Sequence, residues 1–188
     1  MGVLPRAASL QPAAIGTASH LLLAHLDYPT KDAVPEIERQ CRELVQAGVL
    51  SAEEAGHIDI PGLAALFSTP IGKRLAAAPE RVQREVPFTL LAEEGTPLAG
   101  SLLHGQIDVL FVADDAVVVV DLKTDRISKD DLARRAAQYG PQMHSYRRAI
   151  RALFAERPVT VALYFSHVGA LVVDSDLNGG PEPMGQEQ

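Results

Sequence analysis

Cysteine occurs once in this sequence, at Cys41, so an intramolecular disulfide and a cysteine-built zinc or iron–sulfur centre are both excluded. That usage suits a reducing cytoplasm. No apolar run approaches the ~18–20 residues a membrane-crossing helix needs; the longest, such as Ala116–Val120 and Val161–Phe165, are strand-sized. The opening residues, Met1-Gly-Val-Leu-Pro-Arg6, lack the apolar core of a secretory signal. The 14 glycines and 13 prolines are scattered without period, which removes collagen-like and low-complexity readings. Also missing is a G-x-x-x-x-G-K-[ST] loop: Gly72-Lys73 has neither the first glycine nor the following hydroxyl, so no ATPase motor is encoded here. Nor does spacing assemble a serine or cysteine triad. With 47% hydrophobic residues in 188, the chain can bury a real core. It reads as one soluble, cytoplasmic domain without a membrane partner.

A net charge of −7 argues against a polyanionic partner, but the charge is unevenly spread. Between Lys123 and Arg157 there are nine Lys/Arg against four Asp/Glu, a local +5 in a chain that is otherwise acidic. Such asymmetry fits either a face that meets phosphate or a solvated basic helix face.

The front half has helical character. Thr17 stands where it would cap a short helix over Ala18–Leu26 that carries His20 in its first turn. Val34, Ile37, Cys41, Leu44 and Val45 recur at helical spacing until Gly48. Ser51-Ala-Glu-Glu54 has the form of a capping box, and short helices follow over 62–67 and 70–78. The back half changes period. Val82–Leu91, Gln106–Val112 and Val117–Lys123 read as strands, a helical region broken at Gly140-Pro141 covers 129–154, and Val159–Phe165 with Ala170–Asp174 close the order. Residues 1–14 read as a leading segment and 176–188, rich in Gly, Pro, Gln and Glu, as a flexible tail.

A turn centred on Asp114-Asp115 sets Asp108 directly across from Asp121. Opposed carboxylates repel at the ~4.5–5.5 Å Cβ spacing of such pairs. One carboxyl is protonated, a cation lies between them, or a bulge shifts the register. Lys123, two residues on, emerges on the face of Asp121. Two carboxylates and a lysine suit metal-assisted phosphodiester hydrolysis: oxygen ligands hold a hard cation such as Mg²⁺, the metal acidifies a bound water, and the ammonium steadies charge on phosphate. The plainer alternative is that Asp108 opens a strand and Asp121 ends one.

Three strings carry a resemblance: Gly105-Gln-Ile-Asp108; Val118-Val-Val-Asp121-Leu-Lys123-Thr124-Asp125; and Tyr139-Gly-Pro-Gln142-Met-His-Ser-Tyr146. With Gly16-Thr-Ala-Ser-His20 upstream, they resemble, in order, the RecB-like branch of the PD-(D/E)XK nucleases. Leu50-Ser-Ala-Glu-Glu-Ala55 and Arg84-Glu-Val-Pro-Phe88 further resemble the C-terminal nuclease domain of AddA-type helicase–nucleases, and the likeness covers about residues 15–173. It implies an α/β fold, a central mixed sheet flanked by helices, with the nuclease domain over 15–175. It implies His20, Asp108, Asp121 and the Leu122 carbonyl as ligands of Mg²⁺ or Mn²⁺, Lys123 as the catalytic lysine, and Gln142, Tyr146, Tyr139 and Thr124 along the DNA strand. The family often has Tyr where this chain has Leu122, a change without consequence if only the carbonyl is used. Glu85 falls near an acidic position of the wider superfamily. The four-cysteine iron–sulfur staple of related branches is absent.

The implied activity is metal-dependent hydrolysis of single-stranded DNA, in exonuclease or endonuclease mode, by the nuclease module of a longer helicase–nuclease in double-strand-break repair and recombination. The implied partners are a helicase motor and a second, AddB-like subunit. The rival is a non-catalytic DNA-binding or scaffolding module of the same fold. Gln142 and Tyr146 lie at i and i+4 on one helix face, suited to phosphate or base contacts; a core stripe of Met143, Tyr146, Ile150 and Leu153 is the other reading. Arg147, Arg148 and Arg151 read as solvated, and His25, His57, His104, His144 and His167 as structural.

Overall fold

Three apolar strands meet at the centre of the fold: β1 (Val82–Leu91), β2 (Leu102–Val112) and β3 (Val117–Lys123). The computed structural model describes residues 12–94 and 99–174, so the expected tail and most of the leading segment lie outside the described residues. β4 (Val159–Phe165) pairs in parallel with β3, and β5 (Ala170–Val173) closes an edge, giving the order β1-β2-β3-β4-β5 with every other pairing antiparallel. Six of the seven residues of β3 are buried, as a central strand covered on both faces requires.

Two helical layers supply that cover. One holds α1 (Pro12–His25), α2 (Ala33–Gln46), α3 (Ala52–Ala55), α4 (Ile60–Ala65) and α5 (Pro70–Ala77). Leu22, Leu23, Ile37, Leu63 and Leu75 from this layer pack with Val109, Phe111, Val118, Val120 and Leu122 of the sheet. The other holds α6 (Leu132–Gln138) and α7 (Gly140–Leu153), whose Ala136, Met143, Tyr146 and Ile150 pack with Leu110, Val117, Val119, Val161 and Leu163. Consecutive β3 residues thus feed opposite cores. The expected α/β architecture is the one found.

The capping box at Ser51 forms, with Ser51 and Glu54 satisfying each other's backbone N–H groups. Two boundaries differ from expectation by four residues or more. Thr17 does not stand at the helix start: α1 begins at Pro12 and runs through Gly16-Thr17. Gly16 serves packing instead, because a β-carbon there would stand 3.2 Å from Thr124 Oγ1. β2 starts at Leu102 rather than Gln106 because its hairpin with β1 extends to Leu91↔Leu102.

Gly105 has its own task inside β2. It pairs with Phe88, and a β-carbon at Gly105 would fall 2.3 Å from the Phe88 ring. That ring stands edge-on to Tyr146 at 5.6 Å between centroids, so it has a neighbour to push against. Gly105→Ala should therefore destabilise the chain by about 1–3 kcal/mol, the usual range for overpacking. The urea midpoint reads this; an unshifted midpoint would mean that the Phe88 ring has room to swing away.

Candidate active site

β2 and β3 follow the expected register from Val112↔Val117 to Val109↔Val120. The ladder stops one step short of Asp108 and Asp121. The two aspartates therefore do not stand as an opposed pair. Asp108 instead turns its Oδ2 to the backbone N–H of Leu122, at 2.7 Å, so that a carboxylate takes the place of the next ladder bond. A side chain acting as acceptor keeps the Leu122 N–H satisfied where the strands separate.

His20 reaches this point from α1. Its Nε2 lies 3.2 Å from Asp108 Oδ2 and 3.0 Å from the Leu122 carbonyl oxygen, while Nδ1 lies 2.8 Å from the Gly16 carbonyl. The Gly16 contact fixes the ring so that Nε2 faces the carboxylate. Burial opposes a charge on this imidazole, but the hydrogen bond and charge of Asp108, helped by the Gly16 carbonyl and Asp121, raise its pKa to about 9.

Asp121 is approached from the other layer. Only 2% exposed, it meets the Tyr146 hydroxyl, which donates to Oδ1 at 2.6 Å and also lies 3.0 Å from the Gln106 carbonyl. Lys123 Nζ lies 2.7 Å from Oδ2, close enough for an ion pair but not aligned as a hydrogen bond, so Oδ2 is a buried oxygen without a hydrogen-bond donor. Burial and the charge of Asp108 push the Asp121 carboxyl above its usual range, against the pull of Lys123 and Tyr146. Gln142 ties these groups together, accepting from Lys123 at 2.8 Å and donating to the Tyr146 hydroxyl at 2.8 Å.

Tyr146, expected along DNA, is 2% exposed and belongs to the core stripe with Met143 and Ile150; its hydroxyl reaches Asp121, not solvent. Leu153, the fourth member of that stripe, is 74% exposed. Arg147 and Arg148 are not solvated either. Arg147 pairs with Asp174 at 2.5 Å, and Arg148 with Glu93 at 3.0 Å. Arg151 is exposed as expected.

A cleft of about 550 Å³ opens onto these groups, lined by His20, Leu122, Lys123, Thr124, Arg126 and Tyr139. Tyr139 donates its hydroxyl to Asp125 at 2.9 Å, and its ring lies 4.0 Å under Lys123 Nζ. Asp125 also binds Arg135, at 2.5 Å. The Asp125–Arg135–Tyr139 cluster is not expected from the sequence, where its one signal is an acid directly after Asp121-Leu-Lys123-Thr124. Glu85 interrupts the β1–β2 ladder between Arg84↔Val109 and Val86↔Ile107, with φ of 52°, a left-handed backbone rare outside glycine, and its carboxylate accepts from Gln106.

Among the described residues, no three His, Cys, Asp or Glu side chains are close enough together to hold a metal ion as they stand. His20 and Asp108 touch each other, and Asp121 is engaged by Lys123 and Tyr146. The donor types nonetheless match a hard divalent cation: two carboxylates, one carbonyl oxygen and one imidazole anchored through its other nitrogen. Asp121 Oδ2, buried without a hydrogen-bond donor, has the Lys123 ammonium beside it as its cationic partner.

Residues 1–180 match the PD-(D/E)XK nuclease superfamily. The A-subunit of the ATP-dependent helicase/nuclease of Anoxybacillus flavithermus is 36% identical over 179 residues, covering 92% of this chain and 14% of that protein. The protein of the same name from Geobacillus kaustophilus is 38% identical over 180 residues, 88% of this chain and 14% of its own length. That from Moorella thermoacetica is 34% identical over 160 residues, 80% and 11% respectively. The chain thus spans only about a seventh of the curated relatives it matches. A match over nearly the whole chain, on a five-stranded mixed sheet with Asp121 and Lys123 at the end of its central strand, places it: this chain belongs to the PD-(D/E)XK nuclease superfamily.

Proposed function

We propose that this chain is the nuclease module, residues 15–175, of a helicase–nuclease, and that it hydrolyses phosphodiester bonds of single-stranded DNA with Mg²⁺ or Mn²⁺. The observation that carries the reading is the meeting of His20, Asp108 and the Leu122 carbonyl at the point where β2 and β3 separate, with Asp121 and Lys123 beside it. His20, Asp108, Asp121 and the Leu122 carbonyl would hold the cation, which when bound supplies an acidified water and neutralises charge on the phosphate.

The protein's own groups do the rest. Lys123 is fixed by Gln142 and the Tyr139 ring at the wall of the cleft, where its ammonium can orient an attacking water and offset charge building on phosphate oxygens. Tyr146 and Gln142 act as positioning residues, the first on Asp121 and the second on Lys123 and the Tyr146 hydroxyl. Thr124 and Tyr139 line the cleft and are the groups of the motif available to a strand.

The proposed setting is the cytoplasm, as part of double-strand-break repair and recombination, with cleavage of a strand delivered by the motor of a longer chain, next to an AddB-like partner. The charge arrangement favours delivery over capture. Five of the nine cations between Lys123 and Arg157 (Lys123, Arg134, Arg135, Arg147 and Arg148) pair with the chain's own carboxylates. Few cations are left to release counterions from a polyanion.

Three outcomes are expected. Millimolar Mn²⁺ should raise the melting temperature of the wild-type chain but not of Asp121→Ala; at a hundred times its dissociation constant the gain is about 2.7 kcal/mol. A wild-type melting curve indifferent to Mn²⁺ would count against the ligand set.

Labelled single-stranded DNA incubated with Mg²⁺ or Mn²⁺ should be cut by wild type and left intact by Asp108→Ala, Asp121→Ala and Lys123→Ala, each folded by circular dichroism. Cutting by Lys123→Ala at the wild-type rate would remove its assigned role. DNA binding without any cleavage by wild type would favour the non-catalytic module.

Tyr146→Phe should keep the fold yet leave Asp121 Oδ1 short of its donor, costing about 1–3 kcal/mol in urea unfolding. It should also slow cleavage by at least ~10-fold, equivalent to about 1.4 kcal/mol in the barrier. Unchanged stability and rate would show that Asp121 does not depend on the phenol.

A further inference from the structure

A second cavity, of about 260 Å³, adjoins the cleft and shares Ile15, Thr124 and Arg126 with it. Its other walls include Ser19, His57, Ser166 and His167. The position follows from the topology. β3 and β4 are parallel and stay paired to Lys123↔Phe165, so the residues after each leave the sheet at the same edge. Thr124 to Arg126 follow the catalytic lysine, and Ser166 and His167 follow β4. The carboxyl ends of adjacent parallel strands are where open α/β sheets characteristically place ligands.

The lining is that of an anion site. His57 and His167 are exposed imidazoles, whereas Ser19 and Ser166 are buried and donate their hydroxyls to the Ile15 and Lys123 carbonyls; among the described residues Asp59 is the one acid of the lining. The Asp59 carboxylate is already engaged, accepting the Gly62 N–H to cap α4. Arg126 is exposed and stands at both cavities, without an ion pair or hydrogen bond among the described residues. It differs in this from the five cations of its segment that are held by carboxylates. A guanidinium free to present its planar fork is suited to bidentate phosphate binding. Among the described residues the wall carries no Phe, Tyr or Trp on which a base would stack.

We propose that this second cavity seats a backbone phosphate of the DNA strand next to the one being cut, with Arg126 as its principal ligand and His57 and His167 as further donors. The inference rests on the nuclease reading above and adds the direction in which the strand leaves the cleft: past Thr124, toward the end of β4. Arg126 then sets register on the strand, since a phosphate contact of this kind positions a nucleic acid without reading its sequence.

The test is steady-state cleavage of labelled single-stranded DNA by the whole chain in Mn²⁺, across ~50 to ~200 mM salt, comparing wild type, Arg126→Ala, Arg126→Lys and Arg151→Ala. Arg151 is exposed on α7 and lines neither cavity. The expected result for Arg126→Ala is a several-fold rise in KM with kcat little changed. Its dependence of log affinity on log salt should be shallower by about 0.7, the value for one lost single-strand phosphate contact. Arg126→Lys should keep that slope, and Arg151→Ala should match wild type. His57→Ala combined with His167→Ala should raise KM without altering the slope as much. If wild type cuts DNA and Arg126→Ala matches Arg151→Ala in KM and slope, the phosphate subsite is refuted while the nuclease reading stands. If wild type neither cuts nor binds DNA, both fail together.

Discussion

A carboxylate buried at the centre of a sheet has to be satisfied by what surrounds it, and Asp121 imposes that requirement on this fold. It is 2% exposed, near a second carboxylate, in a strand that otherwise carries Val, Leu and one Lys. The answer comes from two elements. Lys123, two residues along the same strand, supplies charge, and Tyr146 of α7 supplies a hydroxyl. Further features are consequences of keeping those partners in place. Gln142 joins the lysine to the phenol, Phe88 buttresses the Tyr146 ring, and Gly105 gives Phe88 its room. A chain of contacts therefore leads from a glycine in β2 to the orientation of a carboxylate in β3.

The separation of β2 from β3 is the second constraint. A sheet paired to its end would have used the Leu122 N–H in the ladder. Because the strands part, that N–H is taken by Asp108 and the Leu122 carbonyl is left to His20. Backbone and side-chain oxygens then gather beside an imidazole whose far nitrogen is pinned to Gly16. The arrangement gives a reason for spacing that is otherwise only a pattern: Gly16 and His20 are one helical turn apart, so the carbonyl of the first reaches the ring of the second.

Much of this is legible in the sequence alone. Strands β1, β3 and β4 are marked by β-branched residues bounded by turns, and their limits agree with those found. The hairpin register follows from the Asp114-Asp115 turn and holds through Val109↔Val120. What cannot be read is where pairing stops, because that depends on His20 arriving from 102 positions away from Leu122. Tyr146 is ambiguous for a related reason. Spacing puts it on the face of Gln142 and equally on the stripe of Met143 and Ile150, and only the depth of Asp121 decides that the phenol points inward. Arg147 reads as solvated because Asp174, its partner, is remote in sequence.

The parallel pairing of β3 with β4 bears on when the site comes into existence. Every residue assigned to the cutting step precedes Arg147, yet the strand that carries Asp121, Leu122 and Lys123 has β4 as its neighbour on one side as far as Lys123↔Phe165. A parallel partner reached through two helices is a non-local contact, of the kind that forms slowly. As the chain emerges from the ribosome, the lysine and both aspartates are made well before Phe165 is. The strand end that aims them is fixed only when β4 docks. In the nascent chain the groups proposed for cutting are thus made before the strand that flanks them.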